Sequence, residues 1–145
     1  MFPVFEHVDA GKDLYVRVVT PVCQKYGLTY MEYTVLMFLV NNPQYDTAAQ
    51  IVRVRGLTKS HVSLSLKGLQ ARGLVEGIYF PGNKKTLHLK VTPNADPIVA
   101  DGFAAQKEFG QKLIRDFTPE EVNTLQHLLQ KLHENIKQED ETDAG

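Results

Sequence analysis

The stretch Thr58 to Val75, TKSHVSLSLKGLQARGLV, decides how the rest of the chain is read. At about 100° per residue, Val62, Leu66 and Leu69 fall in one narrow sector, the side of a helix that packs on a core. Thr58 is placed as an N-cap and Gly73 as a C′ residue, enclosing about four helical turns. The opposite face carries Ser60, Ser63, Leu64, Lys67 and Ala71, with Lys59 and Gln70 on one flank and His61 on the other. It holds no carboxylate. A helix that is merely solvated mixes in Glu or Asp, for solubility and for pairs four residues apart. A small, donor-rich face instead suits the major groove of DNA, which admits a helix whose leading side chains are modest and can bond base edges or phosphates. Serine hydroxyls donate or accept, and lysine reaches guanine or phosphate. Leu64 matches a thymine methyl; the competing expectation for it is packing beneath a neighbouring element.

The flanks sharpen this reading. Upstream, TAAQIVRVRG reads as a short helix, although VRVR alternates like a strand. With the turn Arg55, Gly56, Leu57 between them, the two helices form a helix-turn-helix, whose second helix reads the major groove. Downstream, GLVEGIYF and TLHLKVT are β-type runs joined by PGNK, a hairpin turn in which Gly82 and Asn83 suit positive φ. Leu87, Leu89 and Val91 are expected inward, His88 and Lys90 outward. Such a hairpin is a wing, and its tip puts Asn83, Lys84 and Lys85 where a loop reaches a phosphate or the minor groove. The candidate DNA-binding residues are therefore Thr58, Lys59, Ser60, His61, Ser63, Leu64, Lys67, Asn83, Lys84 and Lys85.

The remainder is helical. Leu14, Val18, Val22 and Tyr26 recur every four residues, a first helix that Pro21 is expected to kink or shorten before Gly27 stops it. In GLTYMEY, Thr29 and Glu32 have capping-box spacing and Leu28 with Tyr33 is placed as a hydrophobic staple, so a second helix runs from Thr29 to about Asn41. From about Pro97 to Asp116, Ile98, Phe103, Phe109, Leu113 and Ile114 are spaced among polar residues, with Gly102 and Gly110 marking close packing. TPEE repeats the start signal with Thr118 as N-cap, Pro119 at N1 and Glu121 at N3. Val122, Leu125, Leu129, Leu132 and Ile136 then form a stripe, before an acidic tail over 139–145 that is expected to fray. The fold class is mainly α with a small β-hairpin: a winged helix-turn-helix over 29–92, flanked by helical parts over 1–28 and 93–138.

Composition narrows the function classes. A chain of 145 residues, 43% apolar, suits one domain. No run approaches the roughly 18 apolar residues that span a bilayer, and the start lacks the basic and apolar regions of a secretion signal, so a cytoplasmic protein is expected. A single cysteine, Cys23, excludes an internal disulfide and a zinc site built on paired cysteines. Charge is segregated: residues 46 to 92 hold eight cations against two anions, a balance of +6 in a chain of net charge −1. A basic middle between acidic ends is the footprint of a segment that meets a polyanion, although a solvated mixed-charge surface gives the same count. His7, His61, His88, His127 and His133 show no metal-ligand spacing. With no Gly-rich phosphate loop, nucleophile elbow or paired-carboxylate motif, neither enzyme activity nor a cofactor is expected.

Four segments in order, GLTYMEYTVLMFL, LTKSHVSLSLKGLQARGLV, LHLKVTPNA and DFTPEEVNTLQHLLQKL, resemble the MarR family of winged-helix transcriptional regulators over nearly the whole chain. The resemblance implies a homodimer held by the first and the last two helices, more often a repressor. Each subunit would put its fourth helix into one of two successive major grooves about 34–36 Å apart on a pseudo-palindromic operator. It also implies a cleft for a small aromatic or anionic effector, which here draws on Tyr15, Val19, Tyr33 and Met37; ordinary core is the competing expectation for these four. Three departures stand out. The family's wing carries an acidic residue and arginines where this chain has Asn83, Lys84 and Lys85, and lysine lacks arginine's planar fork. The often basic strand before it reads Gly77, Ile78, Tyr79, and the Thr-x-x-Gly after it reads Thr92, Pro93, Asn94, Ala95. A hydroperoxide-sensing branch has a cysteine in its first helix, but earlier than Cys23, for which a buried inert thiol is expected. The poor wing leaves open an alternative, a winged-helix protein-interaction module without DNA binding.

Overall fold

A computed structural model describes residues 4–143. The elements are α1 (Val4–Tyr26), α2 (Tyr30–Asn41), α3 (Ala48–Arg55), α4 (Lys59–Ala71), β1 (Val75–Phe80), β2 (Asn83–Val91), a 3-10 turn at Pro93–Ala95, α5 (Asp96–Leu113) and α6 (Pro119–Asp143). The chain divides into two compact units, residues 1–109 and residues 110–145. Among the described residues no helix is long and apolar enough to cross a membrane.

In the first unit, capping chemistry sets most helix boundaries. Thr29 Oγ1 accepts from the Glu32 amide at 3.0 Å while Glu32 Oε1 accepts from the Thr29 amide at 2.9 Å, the expected box at the start of α2. A second box starts α3, where Thr47 Oγ1 accepts from the Gln50 amide at 3.3 Å and Gln50 Oε1 from the Thr47 amide at 3.1 Å. The strand-like alternation of VRVR is thereby overruled, and a fully buried Ile51 fixes which side of the helix faces in. Pro21 does not shorten α1, which continues to Tyr26. Proline removes one backbone bond, and the packing of Val18, Val19 and Cys23 on either side of it offsets that loss.

Two clusters make up the core of this unit. Leu36, Leu39, Ile51, Val62, Leu69 and Val75 belong to the winged-helix core, whereas Val18, Val19, Cys23, Tyr33, Met37 and Ala105 join α1, α2 and α5. Helix α2 contributes to both, which is why seven consecutive residues from Tyr33 to Leu39 are buried. Of the two residues spaced as a staple, Leu28 is buried in the first cluster and Tyr33 in the second. Gly102 brings α5 close to α2: an added Cβ there would lie 2.7 Å from Met37 Sδ. Gly110, by contrast, has open space around it.

The hairpin pairs antiparallel from Val75↔Val91 to Tyr79↔Leu87, with an irregularity before Phe80↔Asn83. Leu87 lies over Gly77, where a Cβ would come 2.7 and 2.8 Å from its two methyl groups. At the tip only Gly82 has positive φ; Asn83 does not. Its Oδ1 instead accepts from the Lys85 and Thr86 amides at 3.1 and 3.3 Å, an Asx turn that shapes the loop from the side chain rather than through φ.

In the second unit, Thr118 and Glu121 form the expected capping box, with amide-to-side-chain distances of 2.9 and 3.1 Å. Helix α6 runs on to Asp143, so 139–143 are helical where fraying is expected. Those residues contain no helix breaker, and Thr142 Oγ1 bonds back to the Gln138 carbonyl at 2.8 Å. The last two residues of the expected tail lie outside the described residues.

Candidate nucleic-acid interface

Helix α4 is held by its inner face. Val62 and Leu69 are fully buried, Leu66 nearly so, and Ser65 is buried beside them. Gly68 permits close approach to α2, since a Cβ there would run into the Glu32 carboxylate. Glu32 therefore caps α2 and also lies against α4 at Gly68. At the N-terminus Thr58 Oγ1 accepts from the His61 amide at 3.3 Å, so this hydroxyl is engaged as a cap. The C-terminus closes through Gly73 in the left-handed region at φ +68, with Leu74 donating to the Leu69 carbonyl at 3.0 Å. The Gly73 carbonyl then accepts from Thr92 Oγ1 at 2.5 Å and from Asn94 Nδ2 at 3.2 Å. Thr92 and Asn94 thus anchor the segment after α4 to the one after the wing.

The outer face is open. Thr58, Lys59, Ser60, His61, Ser63, Leu64 and Lys67 are all exposed. Leu64 has 71% of its surface free, so it does not pack beneath a neighbouring element within the chain. The first turn of α4 contains no acid, leaving the positive end of the helix dipole and Lys59 uncompensated. A helix N-terminus of this kind favours phosphate.

The wing is arranged differently. Asn83, Lys84 and Lys85 are exposed at its tip, and Ile78 and Phe80 leave 41% and 51% of their surfaces free on the strand behind it. His88, expected outward, is instead partly buried: its Nδ1 lies 3.0 Å from both Asp46 carboxylate oxygens, and its ring stacks on Phe80 with centroids 3.8 Å apart. The Leu89 amide also donates to the Asp46 carbonyl at 2.7 Å, which ties the wing to the segment before α3. Asp46 and His88 are 42 residues apart, so no local pattern signals the pair. Of the cations in the basic middle, Arg72 is turned toward α1, with Nη2 on the Tyr26 carbonyl at 2.5 Å and Nη1 on the Gly27 carbonyl at 3.2 Å.

The four candidate effector residues separate. Val19 and Tyr33 are wholly enclosed in the α1–α2–α5 cluster, and Met37 is buried there as well. Tyr15 and Met37 line a cavity of about 210 Å³ with Thr34, Asn41, Arg55 and Gln106. Arg55, one of the cations of the basic middle and part of the expected turn, is the charged group in this lining. Burial pushes the Tyr33 phenol pKa well up, with the neighbouring Tyr15 adding to the rise. Cys23 is buried and its pKa is raised by that burial, which suppresses the reactive thiolate.

Helix, turn, exposed helix and hairpin in sequence order define a winged helix-turn-helix protein. Residues 26–78, from the end of α1 through α4 into β1, match the model of the MarR family. The fold extends well beyond the segment. A putatively assigned MarR family transcriptional regulator from Listeria monocytogenes, in complex with a 26mer DNA, superposes with a TM-score of 0.78 at 17% identity, covering 96% of this chain and 91% of that one. MarR from E. coli in its apo form gives 0.71 at 20% identity, covering 91% and 98%. Bordetella bronchiseptica BpsR, in a structure concerned with regulation of its DNA binding by 6-hydroxynicotinic acid, gives 0.70 at 18% identity, covering 91% and 99%. At these identities the likeness is one of fold.

Proposed function

We propose that this protein is a sequence-specific DNA-binding transcriptional regulator, a cytoplasmic binding protein rather than an enzyme. It acts as a homodimer that represses from a pseudo-palindromic operator. Residues 29–92 are the DNA-binding part, and 1–28 with 93–138 the dimerisation part. The observation that carries this reading is the outer face of α4, fully exposed, rich in small donors and free of carboxylates. Ser60, Ser63, Leu64 and Lys67 read base edges, while Lys59 and the wing-tip lysines meet phosphates. The DNA complex of the Listeria relative supports carrying this mode across.

Dimerisation is supported by α6. None of its described residues is buried within the chain, and Leu125, Leu128, Leu129, Leu132 and Ile136 leave a long apolar stripe exposed. A stripe of that extent belongs at an interface. A small aromatic anion would release the protein from DNA by occupying the cavity of Tyr15 and Met37, where Arg55 supplies the charge. The regulation of BpsR by 6-hydroxynicotinic acid fits this class of ligand.

Titration against random and genomic duplexes at two salt concentrations tests the reading. Counterion release predicts affinity that falls steeply with salt and a subset of genomic fragments bound tightly. Absence of salt-dependent binding at low ionic strength would leave the alternative, a protein-interaction module.

A further inference from the structure

Arg72 stands at the C-cap of α4, at the end of the helix opposite to the one whose residues lead into a groove. At 1.5 Å per residue it lies roughly 20 Å along the axis from Lys59. Its guanidinium donates from two nitrogens to two successive carbonyls, those of Tyr26 at 2.5 Å and Gly27 at 3.2 Å. These carbonyls close α1, where backbone acceptors lack intrahelical partners and the helix dipole is negative. A planar fork reaches both at once; an ammonium group does not.

The same end of α1 is fastened to α5. Tyr26 donates its hydroxyl to the Asp101 carboxylate at 2.7 Å, and Lys25 Nζ lies 2.8 Å from the same oxygen. Lys25 and the Tyr26 hydroxyl hold the Asp101 pKa below its usual value. On the other side of α4 the Gly73 carbonyl is gripped by Thr92 and Asn94. Residues 72 and 73 are therefore held from two directions, by Arg72 on the end of α1 and by Thr92 and Asn94 just ahead of α5.

Building on the DNA-binding reading above, we propose that Arg72 is a positioning residue. It clamps the recognition helix to the end of α1 and so sets the spacing of half-sites that the dimer accepts. The test uses full-length wild-type protein, Arg72→Ala and Arg72→Lys. Each is measured on the operator selected by the wild type and on the same operator with one base pair inserted between half-sites, at two salt concentrations. Amide hydrogen exchange of the free proteins is followed in parallel.

Both variants are expected to bind the selected operator several-fold more weakly and to lose much of the preference for its spacing, with the salt dependence unchanged. Exchange at residues 24–28 and 72–75 should quicken several-fold in both while the rest of the first unit keeps its protection. The proposal is overturned if Arg72→Ala lowers the salt slope by about one, keeps the spacing preference and is rescued by Lys, the behaviour of a phosphate contact. Unchanged exchange overturns the clamp itself. A wild type that binds no duplex removes the DNA-binding reading and the half-site role with it, and exchange then decides the clamp alone.

Discussion

Helix α4 and the wing adjoin in sequence and both add residues to the same core, but they use their outward groups in opposite ways. On α4 the exposed Ser60, Ser63, Leu64 and Lys67 make no side-chain bond among the described residues except the 3.5 Å approach of Ser60 to the cap Thr58. On the wing, His88 is engaged by Asp46 and Phe80, and Asn83 by its own turn. What remains to reach outward from the tip is Lys84 and Lys85, two flexible point charges. On the proposed DNA-binding reading, discrimination falls to the helix and non-specific attraction to the wing.

The largest effect separates the two faces of α4 itself. Leu69→Ala, which empties a fully enclosed site, is expected to cost about 2–5 kcal/mol in denaturant unfolding. Leu64→Ala on the open face should stay within about 0.5 kcal/mol, yet shift the sequences selected. A large stability loss at Leu64 would mean that the face is occupied rather than free. Next comes the division of labour between helix and wing. Ser63→Ala and Lys67→Ala should each reduce discrimination between selected and mismatched duplexes by about 1–3 kcal/mol. Lys84→Ala should instead weaken all duplexes alike and lower the salt slope by about one. Competition binding distinguishes them, and a preference altered equally by Lys84→Ala would abolish the contrast. The smallest effect lies at the element starts. Thr58→Ala removes the α4 cap and should cost about 1 kcal/mol in thermal or urea melts. Asn83→Ala touches only an exposed loop and should be closer to neutral, measured the same way.

Much of this was legible along the chain, and the limits have particular causes. Both faces of α4 follow from the spacing of Val62, Leu66 and Leu69, and the wing from two β-type runs around PGNK. His88 was expected outward because alternation with Leu87 and Leu89 says so; its ring does leave the inner face, but folds onto Asp46 and Phe80 instead of into water. Val19 and Tyr33 looked equally suited to a cleft or a core, since periodicity identifies a buried side without saying what covers it. Only the positions of α1, α2 and α5 separate them from Tyr15 and Met37, beside which Arg55 completes the cavity lining.

What the amino-acid sequence determined by itself was local: helix starts at Thr29, Thr58 and Thr118, stops at Gly27 and Gly73, and the residues available on the outside of α4. Capping and turn bonds join groups a few residues apart, so their partners are readable side by side. The tertiary structure alone decided which exposed-looking groups are committed. The bonds from Asp46 to His88 and from Arg72 to Tyr26 cross 42 and 46 residues. Such pairs exist only after packing has placed both elements, because a side-chain bond forms within about 3 Å and carries no signature in chain spacing.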